Sequence, residues 1–248
     1  MIDLHCHILP NLDDGPSSLD ESLAMARRAV EDGIHTIVAT PHTLNGVYLN
    51  SVEDVSENLA ILQEALSKNH IDLKLYPGAD VHLCPNMVKQ IETGEAGTIN
   101  NARKYIILEL PSHTIPAAAK DEIFKLKTSG ITPIISHPER NTAIQQDSDI
   151  LYDLISMGAL GQVTAMSLTG DFGLFVQQTA HQLINQRLIH IIASDAHSAD
   201  GRPPVLSNAV DCAAEILGSD EEAGHMVTTI PAAILAGNTV ETEEPKPP

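Results

Sequence analysis

Imidazoles and carboxylates recur at one kind of place along this chain, just after short apolar runs. The first run ends in His5-Cys6-His7. Residues i and i+2 of an extended segment share a face, so both imidazoles can reach one metal ion while Cys6 points away as a small buried hydrophobe. The tight acidic turn Asp13-Asp14-Gly15-Pro16 follows. Later runs end at Thr40-Pro41-His42, Tyr76-Pro77-Gly78-Ala79-Asp80, Glu109-Leu110-Pro111, Ser136-His137-Pro138-Glu139-Arg140 and Ser194-Asp195-Ala196-His197. Each alone has an ordinary explanation as a turn or a solvated loop. A rim that only met water would not need this joint mixture of imidazole and carboxylate, which suits divalent zinc, manganese or iron. Adjacent ions of that kind bring the pKa of a bridging water near neutrality and hold it as hydroxide, so no side-chain nucleophile is required. The chain has only six arginines, and Arg140 and Arg202 follow His137 and His197 closely. Forked guanidinium groups suit phosphate, and the expected chemistry is phosphoester hydrolysis.

Such residues need a scaffold that brings distant segments to one rim. Short β-type runs at 2–6, 36–40, 73–77, 105–110, 132–136, 160–163 and 189–193 alternate with helical patterns. A capping box at Ser18 and Glu21 opens the first helix, which aligns Leu19, Leu23, Ala26 and Val30 and stops at Gly33. The second starts at Ser51 with Asp54. Further helices are predicted over 85–92, 117–128, 150–157, 172–185, 207–217 and 221–227, with a short one near Ala232. Near-continuously apolar strands followed by helices imply a parallel sheet covered by helices. An open doubly wound sheet and a closed barrel both satisfy that alternation. An open sheet gathers its ligand at one switch point, whereas a barrel converges nearly every strand end on one mouth. The strand ends favour an α/β barrel, one domain over residues 1–240, with 241–248 as a disordered acidic, Pro-rich tail.

Composition limits the partners. With 43% hydrophobic residues the chain can bury one core, but aromatics are only 3%, so Ile, Leu, Val, Ala and Met must fill it. Lys and Arg number 14 against 33 Asp and Glu, a net charge of -19 that repels nucleic-acid backbones and anionic membranes alike. An anionic substrate would therefore need local cations. Cys6, Cys84 and Cys212 are odd in number and scattered, so no disulfide framework follows. Neither a secretory leader nor a membrane-length apolar run is evident, and the expected location is cytoplasmic. His35, His70, His113, His181, His190 and His225 have no metal-like setting and are expected to be structural or at the surface. His82 lies close to Asp80, on the same side if the chain stays extended.

These motifs closely resemble the PHP (polymerase and histidinol phosphatase) superfamily, and within it the manganese-dependent tyrosine phosphatases of bacterial capsule and exopolysaccharide loci. The stretch Asp3 to Pro10, the Asp13-Asp14-Gly15-Pro16 turn, Thr40-Pro41-His42, Ser136 to Arg140, Gly161-Gln162-Val163-Thr164 and Ser194 to His197 carry the resemblance. It implies a single-domain, distorted (β/α)7 barrel of the TIM-like PHP type, with three divalent ions, manganese first and iron, cobalt or zinc as alternatives. On the matching positions, His5, His7, Asp80 and Asp195 would hold the first ion. Asp80 would bridge to a second, completed by Glu109 and His137, while Asp14, His42 and His197 would hold the third. Arg140 and Arg202 would be the catalytic residues that contact phosphate. One departure is Asp80, where the family usually has glutamate, a carboxylate one methylene longer. The resemblance also implies phosphotyrosine as substrate and, as partner, the tyrosine-phosphorylated tail of a membrane-associated polysaccharide autokinase. The alternatives are a small-molecule phosphoesterase such as histidinol-phosphate phosphatase, expected to have a deep pocket rather than a shallow mouth, and a non-catalytic, metal-stabilised partner of the kinase.

Overall fold

Every strand pairing among the described residues, 1–247 of a computed structural model, is parallel. The strands are β1 (Ile2–Cys6), β2 (Thr36–Ala39), β3 (His42–Thr43), β4 (Lys74–Pro77), β5 (Asp80–His82), β6 (Tyr105–Glu109), β7 (Thr132–Ser136), β8 (Leu160–Thr164) and β9 (Ile191–Ala193). All seven predicted strands are present. β3 and β5 are additions that continue β2 and β4 beyond short breaks. Pro41 cannot donate to a ladder, and a Cβ on Gly78 would come 2.6 Å from a Val38 methyl, so the two paths bend at those points.

β2 pairs with β4 and β3 with β5, so the order around the structure is β1, β2/β3, β4/β5, β6, β7, β8, β9. A parallel bridge between Cys6 and Ala196 joins the last path to the first, where His7 N donates to Ala196 O and Asp195 N to His5 O. The result is the expected α/β architecture, a distorted seven-path barrel.

The helices are α1 (Leu19–Glu31), α2 (Val52–Lys68), α3 (Met87–Thr93), α4 (Ala119–Thr128), α5 (Thr142–Gln146), α6 (Asp149–Ser156), α7 (Ala165–Thr169), α8 (Leu174–Asn185), α9 (Ser207–Leu217), α10 (Asp220–His225) and α11 (Thr229–Leu235). α5 and α7, of five residues each, are too short to reveal a periodicity, and the sequence pattern missed both. α8 starts at Leu174 rather than at the predicted residue 172, because Gly173 caps it with φ 94 and leaves Phe172 in the preceding loop. The box expected at Ser18 is half formed. Ser18 accepts from Glu21 N, but the Glu21 carboxylate turns to Ser17. At Ser51 both halves are made with Asp54.

Strand alternation splits the core in two. Leu4, Val38, Tyr105, Ile107, Ile134, Leu160 and Ile191 fill the lower barrel interior with Ile99 and Ile234. Ile37, Ile106, Leu108, Ile135, Val163 and Ile192 pack outward among the helices. β1 would break this phase, since Leu4 is inside and Cys6 belongs to the outer cluster. The register shifts between Asp3 and Cys6, and this bulge re-aims the strand so that His5 and His7 also face the mouth. Residues 241–247 form neither helix nor strand, and Glu243 pairs there with Arg187 while Lys246 N donates to Gln186 O. Residue 248 of the expected tail lies outside the described residues. No helix among the described residues is long and apolar enough to cross a membrane.

Candidate metal centre

The nine ligand candidates meet at the C-terminal ends of the strands. His5 Nε2 lies 3.1 Å from His7 Nε2, 3.6 Å from Asp80 Oδ2 and 3.5 Å from Asp195 Oδ1. His42 Nδ1 is 3.2 Å from Asp80 Oδ2 and 3.7 Å from Glu109 Oε2, and its Nε2 is 3.7 Å from Asp14. His197 Nε2 approaches the same Asp14 oxygen to 3.4 Å. His137 Nε2 stands 4.0 Å from Asp80 and 3.9 Å from Glu109.

Three overlapping groups have donor atoms close enough to share an ion: His7, Asp14, His42 and His197; His5, His7 and Asp80; and His42, Asp80 and Glu109. His7 and His42 thus each join two groups, where the expected sets placed each in one. Asp80 is fully buried at the junction and reaches three imidazoles despite its short side chain. His82 Nδ1 is 3.3 Å from Glu109 Oε2, at the edge. His35, His70, His113, His181, His190 and His225 enter none of the groups.

Whether these residues fit a cation is decided by their loose ends. His42 Nδ1, Asp80 Oδ2 and His197 Nε2 are buried and lack any hydrogen-bond partner. Leaving such atoms unpaired is costly, and all three point into one cluster, so the donor set fits divalent ions. Its charge demands the same. Burial pushes His5 down to about 4, so that ring is neutral and can offer a lone pair. Burial also opposes charge on His7, yet the Asp13 carboxylate and Asp195 outweigh it and raise His7 to about 10. Burial would raise Asp80 and Asp195, but the surrounding imidazoles, with Arg202 beside Asp195, hold both well below the usual carboxylate range. The carboxylates around His7 thus favour positive charge at this point of the cluster.

Two guanidinium groups converge on the remaining oxygen of Asp195. Arg140 Nη1 donates to Asp195 Oδ2 at 2.5 Å and Arg202 Nη2 at 2.6 Å. His137 (φ 35) and Asp195 (φ 50), each just after its strand, take the left-handed backbone conformation, which turns their side chains across the mouth.

Several residues that build the site were not singled out by sequence reasoning. Asp13, read with its neighbours as a turn, buries its carboxylate against the ligands, accepting from His7 Nδ1 at 2.6 Å and His42 N at 2.9 Å. Gly15 lets that turn close on His7, whose carbonyl would lie 2.5 Å from any Cβ there. Gln162 Oε1 lies 2.8 Å from His5 Nδ1 and fixes that ring from behind. Buried Glu139 accepts from Thr164 N and Ser167 Oγ, tying the His137–Arg140 turn to β8 and α7. Phe172 places its ring 5.2 Å from Arg140 Cζ and 5.8 Å from Arg202 Cζ. The signal for Asp13 was present: a carboxylate behind a metal-binding imidazole is the usual second partner. Nothing in the sequence marked Phe172, because only the loop path brings it to the arginines.

A parallel α/β barrel whose strand ends gather imidazoles and carboxylates around buried unpaired donors defines a metal-dependent hydrolase. The chain belongs to the family described as capsular polysaccharide synthesis, CpsB/CapC, which matches residues 1–236. It is 36% identical to the tyrosine-protein phosphatase YwqE of Bacillus subtilis over 247 residues, covering 100% of this chain and 96% of that one. It is 31% identical to the tyrosine-protein phosphatase CpsB of Streptococcus pneumoniae over 224 residues, 88% of this chain and 92% of the other. A crystal structure from work on those two proteins, described as unique metal-dependent tyrosine phosphatases, superposes with a TM-score of 0.95 at 36% identity, covering 100% of this chain and 99% of that one.

Proposed function

We propose that this chain is a metal-dependent phosphatase that removes phosphate from protein phosphotyrosine, and that its phosphotyrosine partner is an autokinase of polysaccharide synthesis. The observation that carries this reading is the meeting of two arginines with the ligand cluster at one carboxylate, Asp195. His5, His7, Asp80 and Asp195 would hold one ion, Asp80, Glu109 and His137 a second, and Asp14, His42 and His197 a third, manganese being the metal suggested by resemblance. Ions bound there would supply Lewis acidity and a water activated near neutral pH.

The chain's own residues do the rest. Arg140 and Arg202 bind and orient the phosphoryl oxygens and balance their charge against the acidic surroundings. Asp13 and Gln162 hold the His7 and His5 rings in fixed orientation. A phenolate leaves readily, so no strong general acid is needed at the ester oxygen. The cavity beside Glu109, His137 and Arg140 holds about 130 Å³. Enclosed small-ligand pockets span roughly 300–1,000 Å³. A cavity smaller than that range favours a phosphate carried on a larger molecule over a small molecule swallowed whole. Action on a kinase tail, in the cytoplasm and beside the membrane, is consistent with a chain in which no helix among the described residues can span it.

The test is phosphate release by manganese-loaded protein from a phosphotyrosine peptide, a phosphoserine peptide and histidinol phosphate. Preference for the first, abolished in the double variant His5→Ala His7→Ala, supports the proposal. Faster release from histidinol phosphate would favour the small-molecule reading. No release from any of them, with kinase-tail binding retained, would mean a non-catalytic partner.

A further inference from the structure

Phe172 is an aromatic residue that packs against two arginines rather than into the core. Its ring is half-buried, it joins neither hydrophobic cluster, and it is one of only three phenylalanines in the chain. The loop that carries it is bounded by Gly170 (φ 91) and Gly173 (φ 94), and these turns set the ring beside Arg140 and Arg202 rather than on α8. Leu174 and Phe175, at the start of α8, are 67% and 60% exposed and extend the apolar surface outward. A π face beside two guanidinium groups eases their mutual repulsion. That alone does not account for the apolar neighbours. The arginine pair fits the charged end of a phosphate ester, and whatever is bonded to the ester oxygen then falls beside the Phe172 loop.

We infer that Phe172 is the specificity-determining platform for the aryl group of the substrate, distinguishing aryl from alkyl phosphates. This rests on the phosphatase reading above and adds to it the residue that reads the leaving group. A phenyl ring gains an offset or edge-on contact with Phe172, and a serine-like methylene does not. Aromatic pairs of this kind correspond to about three- to tenfold in affinity. Phe172 touches no reacting atom, so its effect falls on the choice of substrate rather than on chemistry at phosphorus.

The test uses manganese-loaded protein and three non-reacting probes, phenylphosphonate, methylphosphonate and inorganic phosphate, with dissociation constants measured by calorimetry. Phe172→Leu is expected to reduce the preference for phenylphosphonate over methylphosphonate about three- to tenfold. Phe172→Tyr keeps the π face and is expected to retain that preference. The ratio of phosphotyrosine-peptide to phosphoserine-peptide kcat/KM should fall in parallel in Phe172→Leu. Inorganic phosphate carries no organic group and reports on the anion site, ions and arginines together, without the Phe172 contact. If Phe172→Leu weakens all three probes by one factor, the ring only supports the arginines and the inference is overturned. An unchanged preference overturns it as well. Wild-type protein that binds none of the three anions would instead remove the phosphatase reading, and the inference with it.

Discussion

Asp13→Asn separates a residue that positions metal ligands from the ligands themselves. Three donors converge on the Asp13 carboxylate: His7 Nδ1 at 2.6 Å and His42 N at 2.9 Å on Oδ2, and Gly15 N at 3.0 Å on Oδ1. Asparagine keeps the shape but has a single acceptor oxygen. With that oxygen toward His7 and His42, its NH2 faces the Gly15 N–H, and flipped, it faces the other two donors. At least one N–H loses its acceptor in either pose, at about 1–3 kcal/mol. For a domain of this length that is a fall of roughly 2–12 °C in the Tm of metal-free protein. The charge that raises His7 is lost too, and with it the carboxylate that fixes the ring's tautomer. Removing such a partner weakens metal affinity by about 10–100-fold. Calorimetric titration with manganese and phosphate release at graded manganese concentrations measure the consequence. Activity should return to within a few-fold of wild type at saturating metal, along a curve displaced to higher concentration. Unchanged metal affinity would refute the positioning role, and activity that no manganese concentration restores would make Asp13 a direct participant.

Arg140→Ala and Arg202→Ala should each lower kcat/KM by about 10²–10³ without changing bound metal, and lysine at either place should restore only part, because it lacks the fork. Metal content falling in parallel would show that the arginines hold the cluster rather than the substrate. Manganese at 100 times its dissociation constant should stabilise stripped protein by about 2.7 kcal/mol, seen as a rise in Tm. Identical melting with and without it would remove the case for a metal site. His190, outside the centre, accepts from Gly161 N through Nδ1, and burial lowers its pKa to about 4. An unfolded chain protonates that ring below about 6.5, so stability should fall as pH drops from there to about 4, by about 3 kcal/mol in all. His190→Asn, which keeps an acceptor for Gly161, should flatten that slope in denaturant unfolding at pH 7, 6 and 5, and an unaltered slope would refute it.

Sequence patterns located all seven barrel paths because each is a buried, apolar parallel strand ending in a polar residue, a contrast that survives in one dimension. The breaks at Pro41 and Gly78 were less visible, since β3 and β5 are two and three residues long and defined by their neighbours rather than by their own composition. All eleven site candidates converge, for the same geometric reason: each lies in the last part of a strand path or in the loop after it, and the barrel brings those ends together. Which imidazole pairs with which carboxylate was not legible. His42 reaches Asp80 and Glu109 as well as Asp14 because its strand bends at Pro41, and no spacing rule encodes that bend. The bulge in β1 is similar. Strict alternation places His5 and His7 together, but only the register shift explains how Leu4 also stays inside the barrel. Phe172 falls inside the helix predicted from residue 172, and Gly173, which caps α8, leaves it in the loop instead.

Asp195 is where the two halves of the site become one unit. Its Oδ1 faces the histidines, 3.5 Å from His5 and 3.3 Å from His7, and its Oδ2 faces both arginines. The backbone that allows this is unfavourable for a residue with a Cβ, at about 1–3 kcal/mol, so something must hold it. Asp195 N donates to His5 O, and the preceding residue, Ser194, is bound through N and Oγ to buried Asp3. Asp3 is raised to about 6 by burial, and it sits on the strand that delivers His5 and His7. One buried network therefore fixes both the histidine strand and the carboxylate that answers it. A chain with a net charge of -19 can admit a phosphate only where local cations dominate, and Arg140 and Arg202, both anchored on Asp195 Oδ2, supply that charge at the mouth. The candidate ligands and the two arginines therefore share a single side chain, and the hydrogen bonds from Asp195 N and Ser194 hold its left-handed backbone beyond the end of β9.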